Sequence, residues 1–284
     1  MAVIGVIAQG MMGAGVGRRL QESGAEVRTL LRGRSQASAE RARAAGMVAA
    51  ADERELLADA DFFLSILPPG EAENLARKLA PTLAALDKKP VYIDCNAVSP
   101  QTAMRIGDIV APIGADFVDA GIIGGPPRPG YSPTIYASGP TASQTAVLRD
   151  WGIDWRVIDG PIGAASALKM SYAGITKGTT AIASAMLLGA ARFGCAEALT
   201  AELTESQPEM LARFRESIPR MYDKAYRWVA EMEEISDFLE QNPPSRDIYA
   251  AVARLYAYLA EAEAENEASP ENAVRTLDRV LRKG

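Results

Sequence analysis

The stretch Val3-Ile4-Gly5-Val6-Ile7-Ala8-Gln9-Gly10-Met11-Met12-Gly13-Ala14-Gly15-Val16-Gly17 constrains this chain more than any other. A β-branched run empties into a glycine-rich turn, and an Ala/Val/Leu pattern carrying Arg18 and Arg19 follows. That order predicts a buried strand, a tight loop and the first turns of a helix. The loop's free backbone N–H groups and the helix's positive end suit a pyrophosphate. The dinucleotide spacing G-x-G-x-x-G here reads Ala8-Gln9-Gly10-Met11-Met12-Gly13. Gly10 lets backbone approach phosphate, Gly13 lets helix approach strand, and Ala8 fills the first glycine's place only with a negative φ. Glycines alone could mark a plain turn. The strand before, the helix after and a second strand at the expected distance favour a cofactor loop.

At 284 residues the chain has room for two domains with a full core. Thirty Lys and Arg against 36 Asp and Glu leave a net charge of −6, and no basic stripe points to nucleic acid. Met1 runs straight into the first strand, so neither a signal nor a transit peptide is expected. The longest charge-free apolar stretch, residues 179–191, is too short to span a membrane. Cys95 and Cys195 lack metal-ligand spacing and read as reduced thiols of a cytoplasmic protein, with no metal expected. Histidine is absent. That excludes Ser-His-Asp hydrolysis, His-ligated zinc and His-based proton transfer, and leaves Lys, Tyr, Asp, Glu or Cys as acid or base.

Strand patterns at residues 3–7, 27–31, 62–67, 91–93, 117–118, 131–137 and 155–158 alternate with helical ones. The helical segments are 13–23, 35–45, 54–58, 70–86, 100–109 and 142–150. Several strands are solidly apolar, which predicts a parallel sheet covered on both faces. The texture changes near Gly160, where residues 162–194 read as one long helix rich in Ala, Gly and Ser. Short helices follow at 199–206 and 209–215, and another starts at Pro219 and runs through Trp228 to Gln241. Asn242-Pro243-Pro244 ends it, residues 246–263 form the next, and Ser269-Pro270-Glu271 opens a last one through Leu281. The expected fold is α/β: a Rossmann-type doubly wound sheet over 1–160, joined through the long helix to an all-α domain over 161–284.

The second strand, Glu26-Val27-Arg28-Thr29-Leu30-Leu31, runs into Arg32-Gly33-Arg34-Ser35 with no acid. NAD-preferring sites place Asp or Glu there for the ribose 2′-hydroxyl. Two guanidiniums and a hydroxyl instead suit a 2′-phosphate and favour NADP over NAD, though a basic surface turn would look the same. Two further strand exits lie where an open α/β sheet binds its ligand: Ser65-Ile66-Leu67-Pro68-Pro69-Gly70 and Tyr92-Ile93-Asp94-Cys95-Asn96. Pro68-Pro69 could equally stop a strand, and Asp94 could be a satisfied turn residue.

Read in order, the motifs resemble a known family. They are Gly10-Met11-Met12-Gly13, Leu67-Pro68-Pro69, Asp94-Cys95-Asn96-Ala97-Val98-Ser99-Pro100, Asp119-Ala120-Gly121-Ile122-Ile123-Gly124-Gly125 and Gly163-Ala164-Ala165-Ser166-Ala167-Leu168-Lys169. The chain resembles the β-hydroxyacid dehydrogenase superfamily, which includes 6-phosphogluconate dehydrogenase and related imine reductases. It is most similar to the phosphogluconate dehydrogenase-like branch with its own C-terminal helical domain of unassigned function. The segment Arg227-Trp228-Val229-Ala230-Glu231-Met232-Glu233-Glu234-Ile235 also supports that branch.

The resemblance implies an NADP-dependent dehydrogenase or reductase acting on CH–OH, with its site in the cleft between domains and a homodimer through the helical domain. It implies a catalytic lysine at Lys169 and a substrate-binding turn at Ile123-Gly124-Gly125, whose glycines present backbone N–H groups. The family's serine is Ile123 here, and its paired asparagines are Tyr172 and Ala173, so the usual 3-hydroxy acid pose loses two groups. Ala8, Gln9, Gly10, Met11, Met12, Gly13, Arg32, Arg34, Ser35, Leu67, Pro68, Pro69 and Asn96 would hold the cofactor, Asn96 near the nicotinamide ribose.

Lys169 also stands out by itself as the first charge after Gly160, with Ser166, Tyr172 and Ala173 on its helical face. Such a lysine can act as general base or acid, or it can snorkel to solvent. Tyr172 could donate a hydrogen bond to a substrate oxygen or sit in the core. Lys177 is expected at solvent or a subunit contact, and Arg227 with Glu231 as an i,i+4 ion pair. Two rivals stay open. An imine reductase would tolerate Ile123 but commonly lacks the lysine, and a cofactor-binding protein without turnover would explain the substituted positions.

Overall fold

Short apolar runs between glycine and proline turns build the first half of the chain. In the computed structural model, which describes residues 1–265 and 272–282, they form β1 (Val3–Ile7), α1 (Met11–Glu22), β2 (Glu26–Leu30), α2 (Gln36–Ala44), β3 (Val48–Ala50) and α3 (Glu53–Leu57). There follow β4 (Phe62–Ser65), α4 (Ala72–Ala84), β5 (Val91–Asp94), α5 (Pro100–Val110), β6 (Phe117–Ile123), β7 (Thr134–Ser138) and β8 (Asp154–Val157). The eight strands make one sheet in the order β3-β2-β1-β4-β5-β6-β7-β8. The order reverses between β1 and β4, which opens a crevice at their carboxyl ends.

Period-two alternation assigns the two faces. Ile4 and Val6 of β1 pack with Val16 and Leu20 of α1, whereas Ile7 packs with Leu56, Leu57 and Phe63 on the other side. Each such side chain contributes about 1.5–3 kcal/mol by leaving water, so the apolar strand pattern outweighs local preference. Both faces are covered, as a largely parallel sheet requires.

Three features depart from the sequence reading. β3 carries no periodic signal: it has three residues, and Val48 and Ala49 are exposed. β7 starts at Thr134, beyond Pro133, and runs antiparallel to β6. The loop joining them is shorter than the dozen or so residues a parallel crossover needs. The segment expected as an α-helix over 142–150 is a 3₁₀ helix, Ala142–Trp151.

The long helix α6 (Ala164–Arg192) crosses the division of the chain into two compact units, Met1–Met170 and Ser171–Gly284. The second unit continues with α7 (Ala196–Ser206), α8 (Pro208–Ser217), α9 (Ala225–Phe238), α10 (Pro243–Ala264) and α11 (Ala273–Arg282). Pro219 opens a 3₁₀ turn, Pro219–Lys224, ahead of α9 rather than α9 itself. Asn242 and Pro243 do double duty: they follow the end of α9 and start α10, because proline at a helix's first position gives up an N–H that has no partner anyway. The expected start at Ser269-Pro270-Glu271 lies outside the described residues. Among the described residues, Asn272 Oδ1 accepts the N–H groups of Val274 and Arg275 at the head of α11.

Within this unit Lys177 is not a solvent residue. Its ammonium bonds the Glu231 carboxylate and lies 4.8 Å from the centroid of the Trp228 ring. Trp228 meets Tyr256 edge to face at 5.2 Å, and the Tyr256 hydroxyl donates to the Lys177 carbonyl at 2.6 Å. Glu231 therefore serves α6 rather than Arg227, whose guanidinium lies 5.5 Å from the centroid of the Tyr226 ring. Among the described residues, no helix is long and apolar enough to cross a membrane.

Candidate active site

Gly10 caps α1 in extended conformation, with no side-chain hydrogen bond and no acid in the first helical turn. The helix's leading N–H groups and its positive end are therefore left for an anion. A Cβ at Gly10 would meet no protein atom within 4 Å, whereas one at Gly13 would lie 1.7 Å from the Ala8 carbonyl oxygen. The two glycines thus do different work. Gly10 keeps the loop's outer side open, and Gly13 admits the helix against the loop.

The loop is pinned from behind. Gln9 is fully buried, and its Nε2 donates to Thr29 Oγ1 and to the Leu30 carbonyl at 2.9 Å. Arg41 on α2 donates to the Gln9 carbonyl at 2.9 Å. Gln9 therefore acts as an anchor through its side chain, and Arg41, which no motif marks, holds the same loop. Met12 packs on the core and Met11 is exposed.

Beside the loop lies a cavity of about 320 Å³, lined by Leu30, Arg32, Arg34, Leu67, Pro68 and Lys78, among others. Lys78 was not visible from sequence, because it reaches the cavity from α4. Two acids also line it. Glu53 pairs with Lys78 at 2.9 Å, and its carboxyl is held below the usual range by that hydrogen bond and by the nearby charges of Lys78 and Arg32. Glu71 is the other. Three cations against two acids leave the cavity positive. Arg32 steadies itself on the Ala51 carbonyl at 2.8 Å, and Ser35 caps α2 by accepting the Ser38 N–H. Pro69 opens the 3₁₀ turn Pro69–Glu71 that leads toward α4. An open glycine cradle at an uncapped helix end fits the pyrophosphate of a dinucleotide.

Asn96 has a different task from the one its position suggested. Its side chain accepts the Leu67 N–H and donates to Ser65 Oγ and to the Asp94 carboxylate. This ties the β4 exit to β5. Asp94 is fully buried, with Oδ2 unpartnered and Asp119 opposite it on β6. Burial first, then the Asp119 charge, push its carboxyl up to about 7.

The sign follows from linkage. The unfolded chain releases the Asp94 proton near pH 4, whereas the folded chain keeps it to about 7. The contribution of this carboxyl to stability is therefore fully present below pH 4 and is lost as pH rises through 7. Asp94→Asn is expected to flatten the fall of Tm between pH 5 and 8, as measured by thermal unfolding at each pH. A slope equal to that of the wild type would refute this.

Asp119 holds the start of α6. Its Oδ2 accepts the N–H groups of Gly163 and Ser166 at 3.0 Å each, and the Ser138 hydroxyl at 3.2 Å. Its Oδ1 accepts the Ser166 hydroxyl at 2.6 Å. Burial raises its pKa, and these donors hold the rise back. Ser138 in turn accepts the Ala165 N–H at 2.9 Å. One carboxylate thus fixes the helix a single turn before Lys169. On the same strand, a Cβ at Gly121 would lie 2.9 Å from the Lys169 Cβ. Lys169 is partly buried, and Tyr172, one turn further, is exposed.

Beyond β6, Gly124 has φ +127°, and a Cβ there would lie 2.3 Å from the Tyr131 hydroxyl, so only glycine fits. The Gly125 N–H donates to that hydroxyl at 3.0 Å. The expected pair of free N–H donors is therefore one fewer, with a phenol in its place. The sequence reading missed Tyr131 because it placed that residue inside a strand.

Comparison with known proteins settles the lineage. Residues 3–149 match the NAD binding domain of 6-phosphogluconate dehydrogenase, more than half of the chain. The chain belongs to that family. Residues 190–259 match a further family model, a domain of unknown function. An uncharacterized 28.5 kDa protein of Methanothermus fervidus is 30% identical over 182 residues, 64% of this chain and 68% of that one. A conserved protein of unknown function, described as structurally similar to 3-hydroxyacid dehydrogenases, superposes with a TM-score of 0.72 at 28% identity. It covers 94% of this chain and 100% of its own. Mycobacterium tuberculosis 3-hydroxyisobutyrate dehydrogenase shares the fold at a TM-score of 0.68 and 18% identity, covering 100% and 99%. This member of the family thus has an NAD(P)-binding domain in a hydroxyacid dehydrogenase-like fold, followed by a helical region.

Proposed function

We propose that this protein is an NADP-dependent oxidoreductase acting on the carbinol or carbonyl carbon of a small hydroxy acid or related polar compound. The observation that carries the reading is the Asp119 clamp, which sets Lys169 against β6 just before the Gly124-Gly125 turn. The glycine cradle and the Arg32, Arg34 and Lys78 cavity would hold NADP, which when bound supplies or accepts the hydride. Lys169 takes the proton from the substrate hydroxyl oxygen in oxidation and returns it to the carbonyl oxygen in reduction. Tyr172, one turn along the same helix and exposed, would be the second proton donor.

The test is NADPH consumption by the wild type over keto acids, aldehydes and cyclic imines. Turnover of acids or aldehydes is expected. Turnover confined to imines would instead favour C=N reduction, and none at all would favour a binding protein.

The reading extends to a dimer. Ile175, Thr179, Ile182 and Met186 are all exposed and recur every three or four residues along α6, and exposed Phe193 stands seven residues further on, just past its end. Ile175 is 64% exposed and Phe193 85%. Such a seam is costly in water and suits a second copy of the same helix. Ile182→Glu is expected to convert a dimer to a monomer in light scattering after size exclusion, with NADPH binding kept. A dimer of unchanged stability would refute the seam.

A further inference from the structure

We propose that Tyr131 and Arg128, on the loop between β6 and β7, form the subsite for a carboxylate group of the substrate. The inference rests on the functional reading above for the word substrate, but its chemistry stands on the loop itself. The Tyr131 oxygen accepts the Gly125 N–H, and no protein acceptor among the described residues takes its proton. A phenol used as an acceptor still has one O–H to donate. The loop is built to keep it there, since Gly124 leaves no room for a side chain beside that oxygen. A closed turn, with Arg128 and Tyr131 exchanging both backbone N–H···O=C bonds at 3.0 and 2.9 Å, fixes the two side chains relative to each other.

The Arg128 guanidinium lies 5.2 Å from the centroid of the Tyr131 ring and has no carboxylate partner among the described residues. Arg77, Lys78, Lys88 and Arg105 of the sheet unit, by contrast, are tied to acids. Arg128 also lines a groove with Arg18 and Arg19, where Glu22 is the single acid. The loop leaves the carboxyl end of β6, where an open α/β sheet receives its ligand, and it begins three residues after Gly121, which packs against Lys169. A hydroxyl donor beside an unpaired guanidinium is the donor set that a carboxylate takes, through charge-assisted hydrogen bonds. Ile123 cannot supply a hydroxyl at this turn. Tyr131 supplies one from six residues beyond Gly125.

The test titrates the full-length protein, with NADPH bound, with oxalate, malonate and tartronate, and with malonamide as a neutral match. Calorimetry measures binding and so needs no turnover. The wild type is expected to bind at least one carboxylate and to bind malonamide weakly. Tyr131→Phe and Arg128→Gln should each weaken the carboxylate about tenfold, the loss of one charge-assisted hydrogen bond. Neither should change NADPH affinity or malonamide binding, which a general loosening of the loop would alter. Carboxylate affinity unchanged in both variants overturns the proposal. So does a wild type that binds none of the three, or one that binds inorganic phosphate in preference. If NADPH itself fails to bind, the functional reading falls, and the same titration without it still judges the pair.

Discussion

Lys169→Met is expected to lower kcat about 10²–10⁴-fold, the usual contribution of a positioned acid or base. That is roughly 3–5 kcal/mol of transition-state stabilisation at 1.36 kcal/mol per decade. Methionine keeps the unbranched apolar stem, so the packing of Lys169 against Gly121 survives and only the ammonium is lost. The effect should fall on kcat, with the Kd of NADPH within about twofold of the wild type, because the cofactor cradle is built from other elements. Steady-state kinetics with the best acceptor of the panel, together with NADPH titration, separates the two. Turnover retained within tenfold would remove Lys169 from the chemistry, since no histidine exists to take its place.

The second large effect concerns the cofactor. Arg32→Ala combined with Arg34→Ala is expected to weaken NADPH about 10²-fold and NADH by no more than about threefold. Each guanidinium can make a charge-assisted hydrogen bond to a 2′-phosphate, worth about 1.5–3 kcal/mol when sheltered and less at an exposed position. Both arginines are exposed at the rim of the cavity, so a tenfold loss apiece is the proportionate figure. The NADPH affinity of the wild type should also fall steeply with salt, whereas that of the double variant should fall less. Equal losses for the two cofactors would mean that the arginines only shape the turn.

Much of this arrangement was legible in the residues. The β1–α1 loop, the parallel order of the early strands and the span of the long helix all follow from short-range patterns. Each is dictated by glycine chemistry or by apolar periodicity, which act within a few residues. What escaped was long-range. Asp119 and Gly163 are 44 residues apart, and Lys177 and Glu231 are 54 apart. Helical spacing offered Arg227 as the partner of Glu231, but burial against Trp228 favoured the lysine. Tyr131 escaped for another reason. Its backbone looks extended in sequence, but Pro133 cannot donate to a ladder and delays β7 to Thr134. Asn96 shows the limit of position as a guide: it sits at a ligand-facing strand exit and gives its amide to neighbouring strands.

The antiparallel pairing of β6 and β7 has an evolutionary consequence. Because β7 returns directly beside β6, the loop between them is a hairpin, held at both ends by the sheet's own ladder. Asp119 and Gly121, which position Lys169, lie within that ladder, whereas Arg128 and Tyr131 lie outside it. Residues in the hairpin can therefore be exchanged without unseating the lysine. On the function proposed above, the fold keeps what would react apart from what would be recognised.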